Sequence, residues 1–205
     1  MDRKRGAFHP SRTTLPRPAR KTMIKKWKLL SSIIDRDYRV FKVRIEEAVS
    51  PRTAGVGQFY TIESNHWVNV VAVTPDQQVV MIRQYRHGSR GITLEIPGGL
   101  VEEDDPGDAA ERELLEETGF SGKSRKLIGS TNPNPAIFSN LCYTYLVPDA
   151  VKTSPLSLDD NEDIDVELVP LASIPGLIAD GTIDHALVIV AFHFYFHHNG
   201  LYRLS

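Results

Sequence analysis

Apolar residues recur at every second position in several short runs and at every third or fourth position in two longer stretches, which predicts strands interspersed with two helices. The runs 38–46 and 57–62 flank a turn-forming stretch at 50–55 and predict an N-terminal antiparallel hairpin or small sheet. Runs 67–73 and 78–82 predict two further strands joined by a turn at Pro75 and Asp76. A helix is predicted next: Asp105 suits the N-cap, Pro106 the first helical position, Ala110 and Leu114 an inward face, and Gly119 the stop. Strands are expected again at 126–129 and 141–147 with a proline-rich loop at 132–135 between them, and at 166–170 after a polar, acidic loop over 149–165. The stretch 183–198 carries Leu187, Val190, Ala191 and Phe194 at helical spacing with Gly200 beyond its end, and predicts a C-terminal helix.

Composition changes this picture mainly at the N-terminus. Residues 1–22 hold seven Lys or Arg against the single acid Asp2, with three prolines and no apolar periodicity, so they read as a disordered basic arm. The same acid-poor composition is open to a transit-peptide reading, and Met23 to a reading as the true start. The remaining 183 residues suffice for one full core, here read as an N-terminal β region at 23–65 followed by one domain at 66–205. With 41% hydrophobic residues, no apolar run of membrane-spanning length and a net charge of −2, nothing favours a membrane or nonspecific nucleic-acid partner. A single cysteine, Cys142, cannot form an intramolecular disulfide, which points to a cytoplasmic setting and to a small core residue.

The stretch that carries chemistry is GGLVEEDDPGDAAERELLEETGF, residues 98–120. On a helix Glu113, Glu116 and Glu117 stand at i, i+3 and i+4, so three carboxylates share one side of two turns and repel one another. A hard divalent cation, Mg²⁺ or Mn²⁺, relieves that repulsion, and the glycines ahead of the helix allow close backbone approach and offer a carbonyl oxygen. Such a cluster suits diphosphate hydrolysis, since metal ions neutralise phosphate charge and acidify an attacking water. Taken alone, ExxEE on a helix more often marks a solvated face.

The surrounding residues decide for chemistry, because the segment resembles the Nudix box, G-x5-E-x7-R-E-U-x-E-E-x-G-U with U bulky and apolar. Counting from Gly98, every defining position matches except the first Glu, which is Asp104; counting from Gly99 instead makes the loop one residue short. The resemblance implies that Glu113, Glu116 and Glu117 bind metal with help from the Gly98 carbonyl, and that Arg112 orients Glu113. It also implies an α/β/α sandwich with a mixed sheet. Arg83-Gln84-Tyr85-Arg86 followed by LEIPGG is similar to the ADP-ribose and nucleoside-diphosphate-sugar pyrophosphatase branch. On that basis Arg86 is expected at a substrate phosphate or ribose and Glu95 behind it as an acceptor, against a plain reading of Glu95 as the solvent face of a strand. Pro135 is expected near the substrate, against a simple turn, and Trp67 at a nucleobase, against burial in the core. The branch often draws its catalytic base from a late loop, here 159–163, with Glu162 the first choice and Asp160 the second. His193 and His197, at i and i+4, lack a third ligand and read as surface residues. By resemblance the N-terminal β region forms a homodimer. The substrate is then ADP-ribose or a nucleotide sugar, the alternatives being another diphosphate (a dinucleoside polyphosphate, a nucleoside triphosphate or a capped RNA) or a catalytically silent nucleotide sensor.

Overall fold

The computed structural model describes residues 24–102, 105–158 and 163–201. The N-terminal region is a three-stranded antiparallel meander, β1 (Lys28–Asp37), β2 (Lys42–Val49) and β3 (Val56–Glu63). The sequence pattern places a strand start at Tyr38, whereas residues 38–41 make the β1–β2 turn, closed by Tyr38 N–H to Phe41 O and by Arg39 at φ 69°. Ile24, Trp27, Leu29, Ile33, Val56 and Tyr60 are exposed in and beside this sheet. It joins the rest of the chain through Ile62, whose N–H donates to Ile137 O and whose carbonyl accepts from Ser139 N–H.

Beyond the meander lie β4 (Trp67–Ala72), β5 (Gln78–Arg86), β6 (Gly91–Glu95), α1 (Pro106–Thr118), β7 (Phe120–Ser121), β8 (Lys126–Thr131), β9 (Cys142–Val147), β10 (Val151–Lys152), β11 (Ile164–Pro170), α2 (Ile174–Ala179) and α3 (Ala186–His198). One sheet, ordered β4-β9-β8, is mixed: β4 runs parallel to β9 and β9 antiparallel to β8. A second, ordered β11-β5-β6, is wholly antiparallel and is tied to the first at the Val73–Val79 bridge. Alternation along β4 gives each of its faces a helix. Val68, Val70 and Ala72 meet Ala109, Ala110 and Leu114 of α1, while Val71 shares a core with Val188, Ala191 and Phe192 of α3. The result is the expected α/β/α sandwich.

The end signals of α1 act as its sequence predicts. Asp105 accepts from Gly107 N–H at 2.8 Å, Pro106 opens the helix, and Gly119 closes it at φ 73° with its N–H on Leu115 O. A side chain at Gly119 would also strike the Ser154 carbonyl, so the following loop depends on this glycine. In α3 the expected inner face is only partly right: Val188, Ala191, Phe192 and Tyr195 are buried, whereas Leu187, Val190 and Phe194 are half-buried. The helix starts at Ala186 and not at Ile183, which is buried ahead of it. His193 and His197 are exposed. Among the described residues no helix is long and apolar enough to cross a membrane.

Candidate active site

The segment after β6 lies along the edge of β4. Val70 N–H donates to Pro97 O, Val68 N–H to Gly99 O, Gly99 N–H to Val68 O, and Val101 N–H to His66 O. This pairing brings Gly98 and Gly99 between β4 and the buried side of α1. A β-carbon at Gly98 would collide with the Val68 carbonyl oxygen, and one at Gly99 with the Glu113 carboxylate. Only glycine lets the loop lie this close to both neighbours.

The α1 carboxylates meet the loop from the other side. Glu113 and Glu117 are 9% and 4% exposed, and Glu117 accepts the Gly98 N–H at 2.9 Å. Arg112 Nη1 donates to Glu113 at 2.9 Å and to Glu116 at 3.2 Å, while its Nη2 reaches Leu100 O at 3.3 Å. One guanidinium thus ties two of the three acids to the glycine loop. Burial works against its charge, but Glu113 and Glu116 hold Arg112 above the usual guanidinium range.

All three glutamates line a cavity of about 250 Å³ with Gly98, Gly99, Leu100, Glu102, Arg112, Trp67, Gln84, Arg86 and Ser157. Gln84, Leu100, Glu102 and Ser157 are the lining residues that sequence reasoning missed. Gln84 is legible in retrospect, being two positions from Arg86 on one strand and so on the same face. Ser157 is not: it arrives by a loop whose backbone N–H groups cap the end of α1, from Thr153 and Ser154 to Gly119 O and from Ser157 to Glu116 O.

Glu95 is a buried residue, 2% exposed, and not the solvent face of a strand. It forms a two-pronged pair with Arg86, Nε to Oε1 at 2.8 Å and Nη2 to Oε2 at 2.7 Å, and Thr93 donates to the same Oε1. Desolvation pushes the Glu95 carboxyl up, yet the Arg86 and Thr93 hydrogen bonds and the Arg86 charge together hold it below its ordinary value of 4.5. A depressed folded-state value means that Glu95 stabilises the fold fully above pH 4.5 and loses that contribution as pH falls through the lower value. Acid unfolding followed by circular dichroism should therefore show a steeper loss of stability below pH 4.5 in the native chain than in Glu95→Gln.

Trp67 is half-buried, with Arg86 Cζ 5.9 Å from its ring centroid. Pro135 lies elsewhere: it is exposed in a turn held by Ile137 and Phe138 N–H groups on Asn134 O, and it is not among the cavity residues. Glu162, Asp160 and Asp104 fall outside the described residues. On either side of residues 159–162, Ser157 lines the cavity and Ile164 pairs with Gln84, which also lines it. Cys142 is 1% exposed and burial pushes its thiol up to about 12, which keeps it an inert core group.

The donor set fits a hard divalent cation in kind and in charge. Among the described residues the cavity lining carries four carboxylates and two guanidiniums, and Arg86, one of the two, is paired with Glu95. As placed, Glu113 and Glu116 lean on Arg112 and Glu117 on the Gly98 N–H. Among the described residues no three His, Cys, Asp or Glu side chains are gathered as a preset ligand shell.

Residues 65–192 match the NUDIX domain family. The methanol dehydrogenase activator of Bacillus methanolicus is 26% identical over 155 residues, 75% of this chain and 83% of that protein. The ADP-ribose pyrophosphatase of Bacillus subtilis is 30% identical over 113 residues, 54% of this chain and 61% of that protein, so the match spans under two thirds of the pyrophosphatase. The crystal structure of an ADP compounds hydrolase superposes with a TM-score of 0.76 at 22% identity, covering 87% of this chain and 98% of the other, a likeness of fold.

Proposed function

Because the chain belongs to the NUDIX domain family, we propose that it is a metal-dependent hydrolase of a diphosphate joining a nucleoside to a sugar. ADP-ribose or a nucleotide sugar is the substrate, and a nucleoside monophosphate and a sugar phosphate are the products. The observation that carries this reading is the meeting, in one cavity, of the α1 carboxylates, the glycine loop and a guanidinium braced by a buried acid. The ADP-ribose pyrophosphatase of Bacillus subtilis, 30% identical, supports the substrate class.

Glu113, Glu116, Glu117 and the Gly98 carbonyl would hold Mg²⁺ or Mn²⁺, which supplies neutralisation of phosphate charge and acidification of water when bound. Arg112 keeps Glu113 and Glu116 on the cavity side of α1, tied to Leu100. Arg86, held flat by Glu95, offers the diphosphate a fixed guanidinium edge. Glu162 takes the proton of the attacking water, with Asp160 the second choice for that task, since in sequence the two lie between Ser157, which lines the cavity, and Ile164, which pairs with the lining residue Gln84. Glu162→Gln should then lower kcat by about a hundredfold or more with KM little changed, in a steady-state assay; full activity in that variant with loss in Asp160→Asn would transfer the role to Asp160.

The exposed apolar residues of the N-terminal meander are the surface on which a second copy docks, giving a homodimer, and the lone buried Cys142 suits a cytoplasmic enzyme. The function is tested by a panel of ADP-ribose, GDP-mannose, UDP-glucose, diadenosine polyphosphates, nucleoside triphosphates and capped RNA with Mg²⁺ or Mn²⁺. Preferential turnover of ADP-ribose or a nucleotide sugar supports the reading. Preference for one of the others reassigns the substrate, and tight nucleotide binding without turnover makes the chain a sensor.

A further inference from the structure

Behind the cavity a polar side chain buried in β4 is connected in three directions. Asn69 is 3% exposed, yet its amide is used at both ends: Oδ1 accepts the Trp67 indole N–H at 2.9 Å, and Nδ2 donates to Leu187 O in the first turn of α3 at 3.2 Å. The same Oδ1 lies against Gly98, where an added β-carbon would come within 2.9 Å of it. A buried amide satisfied in this way holds its partners in fixed orientation, because breaking either bond leaves a desolvated polar group. The indole, tethered by its N–H, presents ring and not hydrogen-bond donor to Arg86, whose Cζ stands 5.9 Å from the ring centroid. Arg86 is therefore bounded on one side by the Glu95 carboxylate and on another by an aromatic ring whose tilt Asn69 sets.

We infer that Asn69 is a positioning residue for substrate binding: by fixing the Trp67 indole it sets how firmly Arg86 is oriented toward the diphosphate, and it couples that grip to the start of α3. This rests on the reading of Arg86 as a substrate-binding residue. It gives Trp67 a role as a support for Arg86 in place of the nucleobase platform expected from sequence. Among the described residues the Asn69 side chain hydrogen-bonds to Trp67 and Leu187 and to none of the α1 carboxylates, so its loss should act on binding and spare the chemical step.

The test uses the full chain with Asn69→Leu, which keeps the branched heavy-atom skeleton and removes both amide bonds, and Asn69→Ser, which leaves room for water should the bulkier leucine variant fold poorly. Each is measured for KM and kcat with ADP-ribose and Mg²⁺, alone and combined with Arg86→Ala. A Trp27→Phe background leaves Trp67 as the one tryptophan, whose emission reports the tether without any substrate. The expected result is a KM raised about fivefold to tenfold, the size of a lost cation–π support, with kcat within about twofold and a red-shifted, less anisotropic Trp67 emission. In the Arg86→Ala background the rise in KM should vanish, since Asn69 acts through Arg86. An unchanged Trp67 emission and KM in both variants, or a rise in KM that persists undiminished without Arg86, would overturn the inference. If the native chain turns over no diphosphate, the assigned function has failed, and the inference is then judged by Trp67 emission and by the Kd for ADP-ribose from fluorescence quenching in the same variants.

Discussion

Replacing Glu117 by Gln is expected to lower kcat by about a hundredfold to a thousandfold while KM moves little, the pattern of a charge needed in the transition state and not in substrate binding. Glutamine keeps the shape of the side chain and a carbonyl oxygen able to accept the Gly98 N–H that Glu117 accepts at 2.9 Å. The glycine loop should therefore stay in place and the melting temperature should hold within a few degrees. What is lost is a negative charge buried to 4% exposure, in a cavity where Glu113 and Glu116 are already shared with Arg112. Steady-state kinetics with a Mg²⁺ titration checks this, the variant also needing more metal for half-maximal rate. Near-native kcat would remove Glu117 from the metal-binding set.

The second large effect separates two adjacent glycines. In Gly98→Ala the new methyl runs into the Val68 carbonyl oxygen, a backbone atom fixed by the pairing of the 97–101 segment with β4, so the loop must detach. A loss of about 2–4 kcal/mol of stability is expected, the range for a steric insertion at a tightly determined backbone. In Gly99→Ala the methyl meets the far end of the Glu113 side chain, which can rotate away. Stability should then fall by under about 1 kcal/mol, but the rotation pulls Glu113 from Arg112 and from the cavity, and kcat should fall by about a hundredfold. Thermal melts beside kinetics distinguish the two: Gly98→Ala is damaged in both, Gly99→Ala mainly in rate. Equal melting temperatures for both variants would mean that the loop is not zipped to β4 as described.

These residues also show which parts of the molecule a linear reading reaches. The ends of α1 were legible because caps are local chemistry: Asp105, Pro106 and Gly119 act on backbone groups within a few residues of themselves. The strand β1 was not, because register shifts between Leu29 and Ser31 and between Ile34 and Arg36 interrupt the two-residue alternation that marks a strand. The buried face of α3 was misjudged since apolar residues surround that helix, leaving periodicity little to choose between faces. At the site, the carboxylates of α1 are legible because their spacing sits inside a contiguous motif, residues 98–120. The environment of Glu95 does not: its burial and its bonds to Arg86 and Thr93 depend on the register of β6 against β5, a nonlocal fact. Ser157 and Asn69 were invisible for the same reason, one delivered by a loop folding back on α1, the other made significant by a helix 118 positions away. Pro135 was placed by resemblance at the substrate, while the pinning of its loop to Ile62 keeps it at the junction with the N-terminal sheet.

The most direct test of the account is product analysis of ADP-ribose incubated with the chain and Mg²⁺. AMP and ribose 5-phosphate should appear in equal amounts, with no product when a chelator is added and almost none from Glu117→Gln. Hydrolysis that survives the chelator, or that is equally fast in Glu117→Gln, would contradict a reaction built on the α1 carboxylates and a divalent cation.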